Sequence, residues 1–189
     1  LAEFRKNNGL VYVPDFLDAP VFEAVLGECL GLQGQLQGEQ NSIAKGRVGT
    51  FIPSGGATAG AFLSREMTER LGGMTGAGSL RASDYPLELR SYPLGAMMDW
   101  HSDTLLYDKP QYEVVFTIAN DGDSVTRWKD MEGQVQEKWT EPNSLLVIRA
   151  GAVEHSVSPI SKGNRQIIKA VYCSEGAKKL PWFESTLQY

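Results

Sequence analysis

The sequence is poor in the residue types that most often build metal and redox sites. Its 189 residues contain two cysteines, Cys29 and Cys173, and two histidines. Two cysteines cannot form the disulfide framework of a small secreted domain, and this pair lacks metal-ligand spacing. Cys29 falls on an apolar helical stripe, where a small buried thiol is expected. This cysteine usage favours a reducing, intracellular environment.

Long apolar runs and blocks of basic residues are also missing. No apolar run approaches the roughly 20 residues of a membrane span. The 18 Lys and Arg residues stand against 23 Asp and Glu, for a net charge of −5. Neither nucleic acid nor a membrane is therefore an expected partner. The chain begins with Leu1 rather than Met, which leaves a removed targeting segment or a preceding domain open.

The length and the hydrophobic content of 42% predict one domain over residues 1–189 with a real core. Residues 1–86 are predicted to supply helical support and glycine-rich loops. One helix begins after Asp18 and buries an apolar stripe that runs from Val21 to Leu30. A second is capped by Ser64 and ends at Gly72–Gly73.

The glycine-rich stretch 31–61 contains eight glycines among Gln, Ser and Thr. Such a composition predicts neither core nor helix, apart from a short strand at Val48–Pro53. Two interpretations stay open for this stretch. It is either a mobile surface excursion or a lid or substrate-binding segment.

From residue 87 to 175 the pattern changes to strands. Alternating and β-branched runs follow one another, and Asp130–Gly133 reads as the turn of a hairpin. Helices followed by a long series of antiparallel strands predict a mainly β fold, in which helices back a jelly-roll or cupin-like core. The predicted strands are 87–92, 114–118, 125–129, 134–139, 145–149 and 167–172, after an early strand at 10–16.

The segment Trp100-His101-Ser102-Asp103 carries the strongest functional signal. In an extended chain, His101 and Asp103 lie on the same face because side chains alternate with a period of two. The other histidine, His155, follows Asp103 by 52 positions, beyond several strands. Two imidazoles and one carboxylate match the facial triad that holds non-haem Fe(II). Asp99 shares the alternation and is expected to be solvated.

This arrangement resembles the Fe(II)/2-oxoglutarate-dependent dioxygenases, and within them the prolyl 4-hydroxylase-like branch. The branch has an H-x-D motif, a distant second histidine and a basic residue shortly after it, here Arg165. It also carries a tyrosine before the first histidine, which Tyr92-Pro-Leu-Gly95 matches. The likeness covers residues 87–175, and its implied core is a double-stranded β-helix.

The resemblance implies a role for each of these residues. His101, Asp103 and His155 would be the catalytic metal ligands for Fe(II), and Arg165 would pair with the distal carboxylate of 2-oxoglutarate. Tyr92 would bind the same carboxylate. Thr117 could face the co-substrate, although an ordinary strand residue fits that position equally well.

The resemblance also implies hydroxylation of an unactivated C–H bond by O2, with succinate and CO2 as co-products and ascorbate as a possible stimulant. The implied substrate is a peptidyl proline or another amino-acid-like molecule. Three alternatives stay open: a small-molecule oxygenase of the same chemistry, a non-catalytic cupin-like sensor or binding module, and a zinc hydrolase. A non-catalytic binding module would leave Arg165 without a function, and a zinc hydrolase would leave its presence unexplained.

Two departures from related patterns narrow the expected chemistry. Val171 stands where nucleic-acid demethylases of the superfamily have a second arginine, which argues against a nucleic-acid substrate. The carboxylate ligand Asp103 is present rather than replaced by a small residue, so halogenation is not expected. Oligomeric state is not predicted.

Overall fold

The computed structural model describes all residues from Leu1 to Tyr189. Two antiparallel sheets face each other and form the double-stranded β-helix that the sequence predicted. The α-helices are α1 (Ala2–Lys6), α2 (Ala19–Gly31), α3 (Ala57–Phe62) and α4 (Arg65–Thr75). The strands are β1 (Leu10–Val13), β2 (Gln37–Gly38), β3 (Ala44–Lys45), β4 (Val48–Phe51), β5 (Leu80–Ala82), β6 (Glu88–Tyr92), β7 (Met97–His101), β8 (Gln111–Asn120), β9 (Thr126–Lys129), β10 (Val135–Lys138), β11 (Ser144–Arg149), β12 (His155–Val157) and β13 (Arg165–Ser174). The larger sheet has strand order β1-β11-β8-β13-β6-β4-β2, with β5 also paired to β13, and the smaller has β10-β9-β12-β7-β3.

The two faces of the larger sheet serve different purposes. On β8, Val114, Phe116 and Ile118 point to the helices and join the main hydrophobic core. Phe116 is fully buried there, with its ring centroid 5.2 Å from that of Phe62 in α3. Glu113 and Val115 alternate with these residues and line the cavity on the other face. The same strand therefore holds the helices on one side and builds the site on the other.

Helix α4 begins as predicted and ends later. The Ser64 side chain accepts a hydrogen bond from the Met67 N–H at 3.2 Å, which confirms its role as N-cap. The helix does not stop at Gly72–Gly73 but continues to Thr75, and Gly76 ends it in the left-handed conformation at φ 71°. The predicted end was wrong because burial of Thr75 against the core outweighs the unfavourable helix propensity of two glycines.

The apolar stripe of α2 is narrower than predicted. Val25 and Cys29 are buried, but Val21 is 41% exposed and Leu30 62% exposed. Asp18 stands at the N-cap position without a side-chain hydrogen bond to the helix. This helix therefore packs against the sheet through a narrow face that carries Val25 and Cys29, with the partly buried Phe22 and Leu26 beside them.

The glycine-rich stretch 31–61 is more ordered than its composition suggested. It contains the expected strand β4, but also β2, β3 and most of helix α3, which the sequence did not predict. The Thr58 N–H at the start of α3 donates to the Glu28 carboxylate at 2.8 Å, so a residue of α2 satisfies the helix terminus. This tertiary contact compensates for the weak helix propensity.

Two smaller features complete the fold. The hairpin between β9 and β10 is confirmed, since Asp130 Oδ1 accepts from the backbone N–H groups of Glu132 and Gln134 across the turn. Helix α1 and strand β5 were not predicted. None of the helices combines the length and the apolar character that crossing a membrane requires.

Candidate metal centre and its cavity

The two histidines meet because their strands are neighbours. His101 ends β7 and His155 begins β12, and the two residues are directly paired across the antiparallel ladder. Their ring centroids lie 4.3 Å apart. Asp103 follows β7 by two residues, and one ligand atom from each of the three side chains lies within 4.8 Å of the others. The predicted triad is thus brought together in space.

Backbone carbonyls orient both imidazoles. His101 Nδ1 lies 2.7 Å from the Asp99 carbonyl, and His155 Nδ1 lies 3.1 Å from the Val153 carbonyl. A proton on Nδ1 donates to each carbonyl, which leaves the Nε2 lone pairs directed at Asp103 Oδ1, at 3.5 and 3.3 Å. His101 Nε2 is buried and has no hydrogen-bond partner in the protein.

The donor set and its orientation are those that a divalent iron site requires. Two neutral imidazoles and one carboxylate suit Fe(II), and carbonyl partners on Nδ1 are the usual means of fixing such ligands. The buried Nε2 of His101 without a partner agrees with a cation at this point. The residues present therefore fit a metal ion.

The charges of the triad support the same conclusion. Burial alone would raise the pKa of Asp103, but the charge of His155 and the nearness of both imidazoles outweigh this effect and hold the pKa well below its usual range. Burial would lower the pKa of His155, but the Asp103 carboxylate raises it above its ordinary value. Asp103 therefore stays ionised, and protons compete with a metal only at the imidazoles.

Arg165 is a buried cation without a carboxylate partner. It begins β13, is 2% exposed, and lines the same cavity as the triad. Its Nε donates to Thr140 Oγ1 at 3.0 Å, whereas Nη2 is buried without a partner. Burial lowers the pKa of Arg165, although a guanidinium remains charged in proteins. A buried positive charge without a counter-ion indicates a binding site for an anion.

The turn before Arg165 depends on Gly163. Gly163 has a φ of 72°, a conformation that disfavours any residue with a side chain. A Cβ at this position would also collide with the Asp121 carbonyl. The Asn164 N–H donates to Asp121 Oδ1 at 2.7 Å and fixes the chain where β13 begins.

Tyr92 stands between two guanidinium groups. It is 2% exposed and lies with its ring 5.4 Å from the Arg165 guanidinium carbon. Its hydroxyl accepts a hydrogen bond from Arg47 Nη1 at 3.0 Å. Burial would raise the pKa of Tyr92, but the two arginines outweigh it and lower the pKa. Tyr92 thus lines the cavity at its positively charged end.

Arg47 was missed by the sequence reasoning. It lies in the glycine-rich stretch immediately before β4, and its guanidinium also binds Glu39 and Ser42. The only local signal was an arginine next to an apolar strand inside a proposed lid. Arg47 and residues 41–43 line the cavity, which supports the functional interpretation of that stretch over a mobile excursion.

Thr117 takes a more distant place than the resemblance implied. It is 1% exposed, its hydroxyl lies 2.8 Å from Thr140 Oγ1, and it is not part of the cavity wall. Thr117 therefore orients the threonine that holds Arg165. Asp99 points to solvent and pairs with the exposed Lys45 at 3.6 Å.

Two chain segments cover the cavity, whose volume is about 210 Å³. Residues 41–43 and 185–188 both belong to its wall. The Asn41 N–H donates to Gln188 Oε1 at 2.9 Å, and Asn41 Nδ2 donates to the Leu187 carbonyl at 3.0 Å. These hydrogen bonds join the two segments into a roof.

No protein-family model and no curated protein matches the sequence. Solved structures do resemble it. A prolyl-4-hydroxylase from Pseudomonas putida has a TM-score of 0.72 at 19% identity, over 92% of this chain and 97% of its own. A prolyl hydroxylase from Trichoplax adhaerens, in complex with a fragment of hypoxia inducible factor, has a TM-score of 0.71 at 20% identity, over 92% of this chain and 87% of its own.

A third similar structure is a small-molecule enzyme. The epimerase SnoN from nogalamycin biosynthesis, in complex with Fe3+, alpha ketoglutarate and nogalamycin RO, has a TM-score of 0.75 at 16% identity. The alignment covers 95% of this chain and 84% of that one. The chain therefore has the fold of the Fe(II)/2-oxoglutarate-dependent oxygenases, including their prolyl 4-hydroxylase-like members.

Proposed function

We propose that this protein is an Fe(II)- and 2-oxoglutarate-dependent dioxygenase that hydroxylates an unactivated C–H bond. The observation that carries the proposal is the unpaired, buried guanidinium of Arg165 in the same cavity as the triad of two histidines and one aspartate. A metal-binding module has no need for this buried cation. Neither does a zinc hydrolase, which would use the same three ligands.

Each residue has a definite role in the proposal. His101 and His155 would hold Fe(II) through Nε2, and Asp103 would hold it through its carboxylate. Iron held there together with 2-oxoglutarate would supply O2-dependent oxidation, in which one oxygen atom enters the substrate C–H bond and the other enters succinate, with loss of CO2 from 2-oxoglutarate. Arg165 would bind the distal carboxylate of 2-oxoglutarate, with Nη2 as a free donor.

The surrounding groups would position the co-substrate and exclude water. Tyr92 adds a hydroxyl beside Arg165, and Arg47, whose charge Glu39 balances, holds that hydroxyl in place. Thr140 fixes the Arg165 side chain through Nε, so less freedom is lost when the carboxylate binds. The roof over the cavity would keep solvent from the reacting centre.

A small-molecule substrate is favoured over a peptidyl proline by the roof. The hydrogen bonds of Asn41 to Gln188 and Leu187 tie two segments of the cavity wall together and leave less room for an extended peptide. A volume of about 210 Å³ is also below the roughly 300–1,000 Å³ of typical ligand pockets. Hydroxylation of a peptidyl proline would require the roof to move.

The test is iron-dependent formation of succinate from 2-oxoglutarate. Protein loaded anaerobically with Fe(II) is mixed with 2-oxoglutarate and O2, and succinate is measured with and without iron. We expect slow formation without substrate, and its loss in Asp103→Ala. Formation of no succinate by the wild type, with iron shown to be bound, would reject the oxygenase. If proline-rich peptides but no small molecules stimulate succinate formation, a peptidyl substrate is favoured over a small molecule.

A further inference from the structure

The inner face of β13 carries a second cation besides Arg165. Arg165, Ile167 and Lys169 alternate along the strand and all three line the cavity. Their Cα atoms are four residues of strand apart, about 13 Å, because each residue advances about 3.3 Å. Lys169 is not one of the three metal ligands, and it is paired with Glu113, whereas Arg165 has no carboxylate partner. The charge of Lys169 therefore has a different use.

Lys169 is held in place by two neighbours. Its Nζ lies 2.9 Å from Glu113 Oε1 on the adjacent strand β8 and 5.3 Å from the centroid of the Tyr85 ring. The side chain of Lys169 is 17% exposed and that of Glu113 is 4% exposed. The ammonium is thus fixed at the cavity wall rather than free to reach solvent.

Glu113 is connected to the loop that carries a metal ligand. Its Oε2 accepts a hydrogen bond from Gln111 Nε2 at 3.0 Å. Gln111 in turn binds the chain just after Asp103: its Nε2 donates to the Thr104 carbonyl at 3.2 Å, and its Oε1 accepts from the Leu106 N–H at 2.7 Å. The ion pair of Glu113 and Lys169 is therefore built into the same framework as the metal centre.

Lys169 has N–H donors that Glu113 does not use. Both oxygens of Glu113 have partners, whereas the ammonium of Lys169 has three N–H donors and gives one to Glu113. Burying such a pair in place of apolar residues seldom adds stability, so stability does not account for it. Lys169 lines the cavity, where an anionic oxygen would satisfy its remaining donors.

We propose that Lys169 binds a carboxylate of the substrate, and that the substrate is a small carboxylate-bearing molecule of the free α-amino acid class. This inference rests on the proposed oxygenase function. Each oxygen of the Glu113 carboxylate has a second lone pair beside its present partner, so Glu113 would also accept a hydrogen bond from the substrate ammonium, and the ion pair would meet a zwitterion of matching charge. The small, roofed cavity agrees with a free amino acid rather than a residue within a chain.

The experiment compares free L-amino acids of the proteinogenic set with their α-carboxamides. Fe(II)-loaded protein is saturated with 2-oxoglutarate without oxygen, each compound is titrated, and succinate formation is then followed in air. We expect at least one amino acid to bind and to stimulate succinate formation. Its carboxamide should bind roughly 10- to 100-fold more weakly, as for loss of a charge-assisted hydrogen bond.

Substitutions of Lys169 test whether this residue causes the preference for the carboxylate over the carboxamide. Lys169→Met should abolish the preference for the carboxylate, and Lys169→Arg should restore part of it. Lys178→Met removes an exposed lysine beyond the end of β13 and should retain the full preference. If Lys169→Met does not fold, Lys169→Gln provides the same measurement with a polar side chain of similar length.

The outcomes separate this inference from the function on which it rests. Absence of iron-dependent succinate formation in the wild type, before any amino acid is added, rejects the oxygenase. When that activity is present, binding of no amino acid in preference to its carboxamide overturns the subsite. Persistence of the preference in Lys169→Met overturns it equally.

Discussion

Replacing Arg165 by Met should weaken 2-oxoglutarate binding without destabilising the protein. Arg165 is 2% exposed, has no carboxylate partner, and makes one side-chain hydrogen bond, to Thr140. Loss of that bond costs about 1 kcal/mol. Removal of a buried charge that no counter-ion neutralises offsets this loss, because the desolvation penalty of such an ion is several kcal/mol. We therefore expect the free energy of unfolding of the metal-free protein to stay the same or to rise.

The effect of Arg165→Met on 2-oxoglutarate binding should be large and unfavourable, in contrast to its neutral or favourable effect on the free energy of unfolding. Removing one partner of a buried, hydrogen-bonded ion pair costs about 3–5 kcal/mol. This corresponds to a dissociation constant for 2-oxoglutarate that is roughly 10²- to 4 × 10³-fold higher. Arg165→Lys should fall between the wild type and Arg165→Met, because an ammonium retains the charge and loses the planar fork.

Two measurements on the same samples test this reasoning. Urea denaturation of the metal-free protein gives the free energy of unfolding, and anaerobic calorimetric titration of the Fe(II) protein gives the affinity for 2-oxoglutarate. Arg5→Met, at an exposed position of α1, is the matched control and should change neither quantity substantially. A loss of about 2 kcal/mol or more in stability with unchanged 2-oxoglutarate affinity would refute the anion-binding role and make Arg165 a structural residue.

Other predictions concern the metal ligands and the thiols. His155→Ala should abolish iron binding, measured by metal analysis, and succinate formation while cooperative unfolding persists; wild-type turnover would refute the ligand assignment. Because Asp103 raises the pKa of His155 above about 6.5, the pair stabilises the metal-free protein fully below that pH, and this contribution is lost as the pH rises through the raised value. Fe(II) affinity should follow the opposite course and fall on acidification through the same range, because the metal requires a neutral imidazole; an affinity independent of pH would contradict this. Burial raises the pKa of Cys29 to about 12 and also raises that of Cys173, so neither thiol should react with iodoacetamide until the protein is denatured, as followed by mass spectrometry.

Several features of the fold could be predicted from local sequence because their causes are local. Strand β8 shows a β-branched and aromatic run, and the hairpin after β9 has a glycine at its left-handed position, Gly133 at φ 80°. The Ser64 cap is likewise a contact between residues close in sequence. Helix α3 could not be predicted, because Glu28 of another helix satisfies its first turn and the packing of Phe62 holds it.

The sequence by itself determined which residues could form the metal centre. Two histidines and an H-x-D spacing leave few choices, and the period of two along a strand places His101 and Asp103 on one side. Which strand lies beside β7 was decided only in three dimensions, by the pairing of His101 with His155. Sheet order depends on long-range packing, which hydrophobic patterns along the chain do not specify.

The same reason explains why the rest of the cavity was found only in the tertiary structure. Arg47 donates a hydrogen bond to Tyr92 from a stretch that the sequence predicted to be mainly loop. Lys169 forms an ion pair with Glu113 because β13 and β8 are neighbours in the sheet. Thr117 was selected for its position along a strand. In the structure it is hydrogen-bonded to Thr140, which in turn accepts a hydrogen bond from Arg165 Nε. Local alternation thus fixed the direction of each side chain, whereas the strand order decided which charges meet and therefore which groups are left to bind a ligand.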